Sequence, residues 1–292
     1  MIINQANLAN LFIGYKAAFQ GAFDSETTTW NQVATQVTST TRDEKYGWLG
    51  QWPKLREWIG DRQVKNLETH DYSIKNRDFE VTVAVDRNDI EDDGYGVYSP
   101  MMAEMGRAAA THADELVYGL LKAGFELPCY DGQPFFDADH PVGDKTVSNV
   151  QAGNKAPWFL LDTSRSLKPL IYQIRKEYKF ISLVREEDPN VFWKRQYVYG
   201  VDGRCNVGFG FWQMAFGSKA ELNKENFMAA RGAMSKLCSP EGRPLAVRPK
   251  LLLVGPSNER QALELIKAER NESGATNILQ NMVEILVTPY LD

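Results

Sequence analysis

The stretch SPMMAEMGRAAATHADELVYGLLKAG, residues 99–124, decides the fold. Met102, Met105, Ala109, His112, Leu116 and Leu120 recur at three- and four-residue steps, which predicts a helix with these side chains on one face. Ser99 suits the N-cap, Pro100 the first helical position, and Gly124 the stop. About 25 residues rising 1.5 Å each make a rod of roughly 37 Å, where about 11–12 residues is usual. Gly106, Ala108, Ala109, Ala110 and Ala113 let other elements pack close to that rod. On its strip of apolar side chains His112 reads as a structural imidazole rather than a ligand.

Upstream, residues 71–93 read as a strand: Phe79, Val81, Val83 and Val85 alternate with Glu80, Thr82, Ala84 and Asp86, so one face is buried. Leu8, Leu11, Phe12, Tyr15 and Phe19 predict an amphipathic helix over residues 4–23. The Thr-rich run SETTTWNQVATQVTSTT, residues 25–41, predicts an extended arm. Between them lies WLGQWPKLREWIGDR, residues 48–62, with Trp48, Trp52 and Trp58 close together. Gly50, Pro53 and Gly60 rule out one good helix, and the charged Lys54, Arg56, Glu57, Asp61 and Arg62 make a poor buried strand. Residues 48–60 and 71–93 are expected to form a long hairpin with residues 61–71 at its tip. Its indoles need a cover that the hairpin itself does not provide.

Downstream, residues 125–157 read as loop and residues 158–216 as mostly extended chain. WFLLD (158–162) is a buried strand, PLIYQIRK (169–176) alternates, and QYVYGVDGRCNVGFGFWQM (196–214) reads as two strands about a Val-Asp-Gly turn. Asn223 caps a helix that carries Phe227, Ala230, Met234 and Leu237 on one face. KLLLVGP (250–256) is a buried strand, Ser257 or Asn258 opens a helix to about Ala268, and MVEILVT (282–288) is a last strand. The mixture is α+β.

A chain of 292 residues, 43% of them apolar, can bury a substantial core in one large or two medium domains. No run of apolar residues is long enough to span a membrane, and the N-terminus lacks the pattern of a secretion signal. Cys129, Cys205 and Cys238 are odd in number and scattered, which favours free thiols over disulfides or a thiolate metal site. A net charge of −5 and no Lys/Arg block longer than two exclude a sequence reader of DNA. The best metal candidate is FFDADHP (135–141), where Asp137, Asp139 and His140 stand at steps of two. No distant ligand set accompanies them, and Asp, His and Pro also favour turns. A metal-dependent hydrolase using Asp137, Asp139 and His140 is therefore the alternative function. The glycines of YGVDGRCNVGFGF (199–211) sit among aromatic and β-branched residues and read as bulges, not as a phosphate cradle. No catalytic, cofactor or metal residue is assigned. What remains is a set of large apolar groups outside a self-contained core, the mark of an interaction surface.

Several long strings carry a resemblance to the major head proteins of Mu-like bacteriophages: TTRDEKYGWLGQWPKLREWIGDR (40–62), DYSI (71–74), VYSPMMAEMGRAAATHADELVYGLLKAGF (97–125), CYDGQPFFDADHPV (129–142) and GFGFWQMA (208–215). The resemblance runs in order along essentially the whole chain. It implies the tailed-phage major capsid fold: an N-terminal arm (1–45), an extended loop hairpin (46–80), the strand and spine helix of a peripheral domain (81–124), a connecting loop (125–157), the peripheral sheet (158–220) and a mainly axial domain (221–292). It further implies a non-enzymatic, icosahedral shell protein of the virion, assembled in the host cytoplasm through hexamers and pentamers around packaged double-stranded DNA. Scaffold, portal and decoration proteins are the other implied partners, with no cofactor and no membrane. The expected subunit contacts are Trp48, Trp52, Arg56, Trp58 and Arg62 of the hairpin, with Phe12 and Trp30 of the arm. Trp52 and Trp58 are expected to bury on the adjacent copy and Trp48 at the hairpin base. Arg56 and Arg62 are expected to meet acidic groups such as Glu91, Asp92 and Asp93.

Overall fold

A computed structural model describes residues 5–47, 49–50, 71–92, 96–270 and 274–292. In chain order the N-terminal half comprises α1 (Gln5–Ser25), α2 (Trp30–Val33), β1 (Ala34–Thr38), β2 (Asp43–Lys45), β3 (Ser73–Lys75), β4 (Arg77–Asp86), α3 (Arg87–Asp92) and α4 (Tyr98–Ala123). There follow β5 (His140–Val142), β6 (Lys145–Val147), β7 (Val150–Gln151), β8 (Trp158–Leu161), β9 (Leu170–Leu183), α5 (Pro189–Lys194), β10 (Gln196–Phe209) and β11 (Ala215–Ser218). Last come α6 (Lys224–Ser235), β12 (Leu251–Val254), α7 (Glu259–Ile266) and β13 (Glu284–Val287).

The long helix α4 serves two cores. Its N-terminal half buries Met102, Met105 and Ala109 in a cluster with Leu8, Tyr15 and Phe19 of α1 and with Phe180, Tyr197 and Tyr199 of the sheet beneath. Its C-terminal half buries Ala113, Val117, Tyr118 and Leu121 in a second, larger cluster. The buried stripe thus rotates along the rod, so Leu116 and Leu120, expected on it, are only partly buried. The helix begins at Tyr98, two residues earlier than expected, with Val97 rather than Ser99 at the N-cap and no side-chain cap bond. At Gly106 α1 lies directly on α4: a Cβ there would sit 2.2 Å from the Phe19 carbonyl oxygen.

The first sheet has the strand order β1-β9-β10-β4, with β1 parallel to β9 and the other pairs antiparallel. The arm expected over residues 25–41 therefore ends in a strand that pairs Ala34–Thr38 with Leu170–Ile174. β10 is a single strand of 14 residues, which corrects the reading of two strands about a turn. Asp202-Gly203-Arg204 is instead a bulge against β9. Gly203 is required there because the Tyr178 ring occupies the place of a Cβ, at 2.5 Å. The chain reverses earlier, through α5 between β9 and β10. β4 keeps the expected alternation at Phe79, Val83 and Val85 and breaks it at Val81, which is 38% exposed.

The second sheet has the order β13-β12-β8-β11-β7. β8 and β12 are buried at every residue, the pattern of strands covered on both faces. Residues 158–220, expected as one sheet, therefore divide between two: β9 and β10 lie in the first, β8 and β11 in the second. Two of the chain's passages between the sheets, β8 to β9 and β10 to β11, run side by side and are tied where the Gly210 N–H donates to the Pro169 carbonyl at 2.7 Å. Residues 125–157 are more ordered than loop, with β5 and β6 forming a hairpin and β7 joining the second sheet. Asn223 does cap α6, its side chain accepting from the Asn226 N–H at 2.9 Å.

Candidate assembly surface

The tryptophan-rich segment departs from a small, well-braced base. β2 and β3 pair Asp43–Lys45 with Ser73–Lys75, so the chain leaves and returns side by side. Beyond the ladder, the Tyr46 N–H donates to the Tyr72 carbonyl and Leu49 is fully buried. Inside the base, Asn76 donates to the Ser39 hydroxyl at 2.8 Å and accepts from Gln173 at 2.7 Å, while the Tyr46 hydroxyl donates to Gln173 at 2.8 Å. The Glu44 carboxylate accepts from the backbone N–H groups of Thr40 (2.7 Å) and Thr41 (2.9 Å) and from the Ser39 hydroxyl. The Thr41 and Thr40 bonds lead in holding the Glu44 carboxyl down to about 2. Trp48, Trp52, Arg56, Trp58, Arg62 and His70 lie outside the described residues.

Phe12 and Trp30 both pack on their own chain and keep part of their surface open. Phe12 stacks on Phe180 at 5.7 Å, and Trp30 meets the Tyr172 ring edge-on at 4.7 Å. The Trp30 and Thr29 N–H groups donate to the buried Asp114 of α4. Burial raises the Asp114 carboxyl, opposed by these same bonds. Beside Trp30 runs an open groove of about 500 Å³ between α1, α4 and β9. Phe19, Phe23, Ala113 and Tyr172 help to floor it, and Asp24, Glu26 and Glu177 stand on its rim. Lys176, the lysine on that rim, is already paired with Asp202.

The alternative metal reading does not assemble. His140 is fully buried, but its Nδ1 meets Asp131 at 2.8 Å rather than Asp137 or Asp139. Asp139 is exposed, and Asp137 turns back to accept from the Ala138 N–H. The group that does converge is Cys129, Asp131 and His140, with donor atoms within 4.8 Å of one another. These three are spent on each other. The Cys129 thiol, pushed up chiefly by burial, donates to Asp131 at 3.1 Å, and His140 Nε2 faces the Phe135 carbonyl. Burial alone would raise the Asp131 carboxyl; the His140 and Cys129 bonds and the His140 charge outweigh it and hold it below the usual range. The imidazole stacks flat on Trp212, at 4.0 Å and 7°. His112 is likewise structural: it packs on Phe79, bonds Tyr178, and is lowered by burial. At the strand-to-helix turn after β12, Asp292 accepts from the Ser257 N–H and hydroxyl, filling the place an anion would take.

The family model described as "Mu-like prophage major head subunit gpT" matches residues 8–291. The chain belongs to the Mu-like major head subunit family. This head subunit is 44% identical to the "Mu-like prophage FluMu major head subunit" of Haemophilus influenzae, over 96% of both chains. It is 38% identical to the "Major capsid protein" of Escherichia phage Mu, over the full length of both. In structure it is similar to the subunit of the bacteriophage JBD30 procapsid, with a TM-score of 0.88 at 49% identity, covering 99% of this chain and 100% of that one. It is also similar to the subunit of the JBD30 capsid, with a TM-score of 0.82 at 37% identity over the whole of both chains. The expected tailed-phage capsid fold and the role of capsid protein in a phage virion are thereby established, and the hydrolase alternative finds no support. Among the described residues no helix is long and apolar enough to cross a membrane.

Proposed function

We propose that this head subunit closes its shell, through hexamers and pentamers, by laying residues 51–70 across an adjacent copy. The observation that carries this is the braced base at β2–β3, which launches a segment holding Trp52 and Trp58 from the sheet edge and takes it back at the same place. The groove beside Trp30 has the matching chemistry: an apolar floor for an indole, and the carboxylates of Asp24 and Glu177 for Arg56 and Arg62. Glu26 on the same rim pairs with Arg107, and Glu91 with Arg87, in their own chain. Each buried indole contributes a few kcal/mol at about 25 cal/mol per Å². Many such contacts together close a shell that no single one would hold.

In this reading residues 1–45 are the arm and 46–80 the extended loop. The first sheet with α4 is the peripheral domain and the second sheet is the axial one, so β8 and β11 serve the axial domain although they precede residue 221. The subunit acts mechanically and catalyses nothing. Its net charge of −5 suits a wall that encloses double-stranded DNA without gripping it. Scaffold and portal proteins complete assembly in the host cytoplasm. The similar JBD30 capsid is decorated with minor capsid protein trimers, which supports a decoration partner here. The test is Trp58→Ala. The variant should remain soluble and folded by circular dichroism, yet give no closed particles by electron microscopy. Normal particles would sink the proposal.

A further inference from the structure

Two turns in the chain are built alike. In PCYDGQP, residues 128–134, the two prolines pair, the Cys129 N–H donates to the Gln133 carbonyl at 2.8 Å and the Gly132 N–H to the Cys129 carbonyl at 3.1 Å, with Gly132 at φ 85°. In CSPEGRP, residues 238–244, Cys238 pairs with Pro244, the Ser239 N–H donates to the Arg243 carbonyl at 2.8 Å and the Gly242 N–H to the Ser239 carbonyl at 2.8 Å, with Gly242 at φ 78°. Each turn ties its second residue to its fourth. The Cys129 thiol donates to Asp131 at 3.1 Å, and the Ser239 hydroxyl donates to Glu241 at 2.9 Å. A hydroxyl and a carboxylate therefore suffice to hold this turn. The first turn carries more than that: a thiol in place of the hydroxyl, and His140 of β5, fully buried, with Nδ1 at 2.8 Å from the same Asp131 carboxylate.

We infer that Cys129, Asp131 and His140 are the ligands of a structural zinc ion, which pins the turn after α4 to β5. Thiolate, carboxylate and imidazole are the donors that zinc takes together. The three donor atoms lie within 4.8 Å of one another. Tetrahedral bonds of about 2.0–2.3 Å set ligand atoms roughly 3.3–3.8 Å apart, so the two contacts to Asp131 need to open by less than about 1 Å. Their present bonds are those such a set makes when protons hold the place of the ion. His140 is already oriented as a ligand. Its Nε2 faces the Phe135 carbonyl at 3.3 Å, the kind of outer partner that fixes a metal-bound imidazole, and its ring lies flat on Trp212. On binding, the Cys129 S–H bond breaks, the sulfur bonds the ion and the proton passes to solvent, while His140 keeps a proton on Nε2 and ligates through Nδ1. Asp131 also lines an open cavity of about 200 Å³ with Gln213 and Cys238, which gives the ion an entry and water the fourth position.

The site does not depend on the assembly reading and is tested on the untagged, full-length subunit. The protein is stripped with a chelator, checked for folding by circular dichroism, and loaded with zinc chloride or with cobalt(II) chloride. Metal content by mass spectrometry, competition with a zinc-binding dye and the cobalt absorption spectrum are read. Wild type should take up one zinc per subunit and show a thiolate-to-cobalt charge-transfer band. Asp137→Asn and Cys238→Ser should do the same. Cys129→Ser keeps a hydroxyl for Asp131, as Ser239 does for Glu241, so it should fold, lose the band and bind zinc at least about tenfold more weakly. Asp131→Asn, which keeps an oxygen to accept the thiol, should weaken zinc equally and serves if the serine variant fails to fold. Folded wild type that takes up no stoichiometric zinc would overturn the site. So would a band that survives Cys129→Ser, or one that Cys238→Ser abolishes.

Discussion

Replacing Gly106 with Ala tests whether α1 is seated on the long helix in the way that gives the subunit its first core. The added methyl carbon would lie 2.2 Å from the Phe19 carbonyl oxygen, about 1.2 Å inside the 3.4 Å of ordinary contact. The obstacle is backbone, so no side-chain rotation relieves it. Either α1 lifts, loosening Leu8, Tyr15 and Phe19, or α4 bends. Overpacking of this kind costs about 1–3 kcal/mol. Alanine's better helix propensity returns about 0.5–1 kcal/mol. With a rigid obstacle the balance is a loss of about 1–2 kcal/mol. Gly119 provides the control on the same helix: it is exposed, with nothing within 4 Å of an added Cβ. Gly119→Ala should gain about 0.5–1 kcal/mol. Urea unfolding of unassembled subunits, followed by circular dichroism, compares the two midpoints. If Gly106→Ala moves the midpoint upward as Gly119→Ala does, α1 does not rest on α4 in the subunit.

At the base of the tryptophan-rich segment, Glu44 has a folded value of about 2 against an ordinary 4.5. A depressed carboxyl stabilises above its ordinary value, and that contribution is lost as pH falls from 4.5 toward 2. Glu44→Gln should flatten this part of the stability profile and speed amide exchange at Thr40 and Thr41; unchanged exchange would refute the assignment. In the buried triad, His140→Ala leaves the Asp131 carboxylate without its main partner and should cost about 3–5 kcal/mol. Adding Asp131→Ala should cost much less than the sum of the single losses, read by a double-mutant cycle in urea; strict additivity would show that the two do not interact.

The periodic features of the sequence carried the fold a long way. α4, the helix after Asn223 and the buried strand at Leu251–Val254 each repeat a strong local pattern, and tertiary packing agrees with it. The errors have physical causes. Val-Asp-Gly resembles a turn because local turn chemistry and a bulge both use glycine; what decides between them is Tyr178, 25 residues away, whose ring needs the space. Leu116 and Leu120 fell off the buried stripe because one helix faces two cores, which a single period cannot express. Residues 158–220 look uniformly extended, and nothing local marks where the chain changes sheet. The partner of His140 is Asp131, nine positions away through an irregular turn, so ligand-like spacing pointed to Asp137 and Asp139 instead.

The paired crossings between the sheets have a mechanical meaning. The larger cluster draws Leu170, Ile171 and Phe209 from the first sheet and Phe159, Leu160 and Leu252 from the second, with Val117 and Leu121 of the long helix between them. A joint filled in this way resists bending, because any change of angle opens voids in close-packed interior. Each subunit is thus a stiff tile, and in the shell of hexamers and pentamers proposed above the difference in curvature between the two rings would fall on its rims.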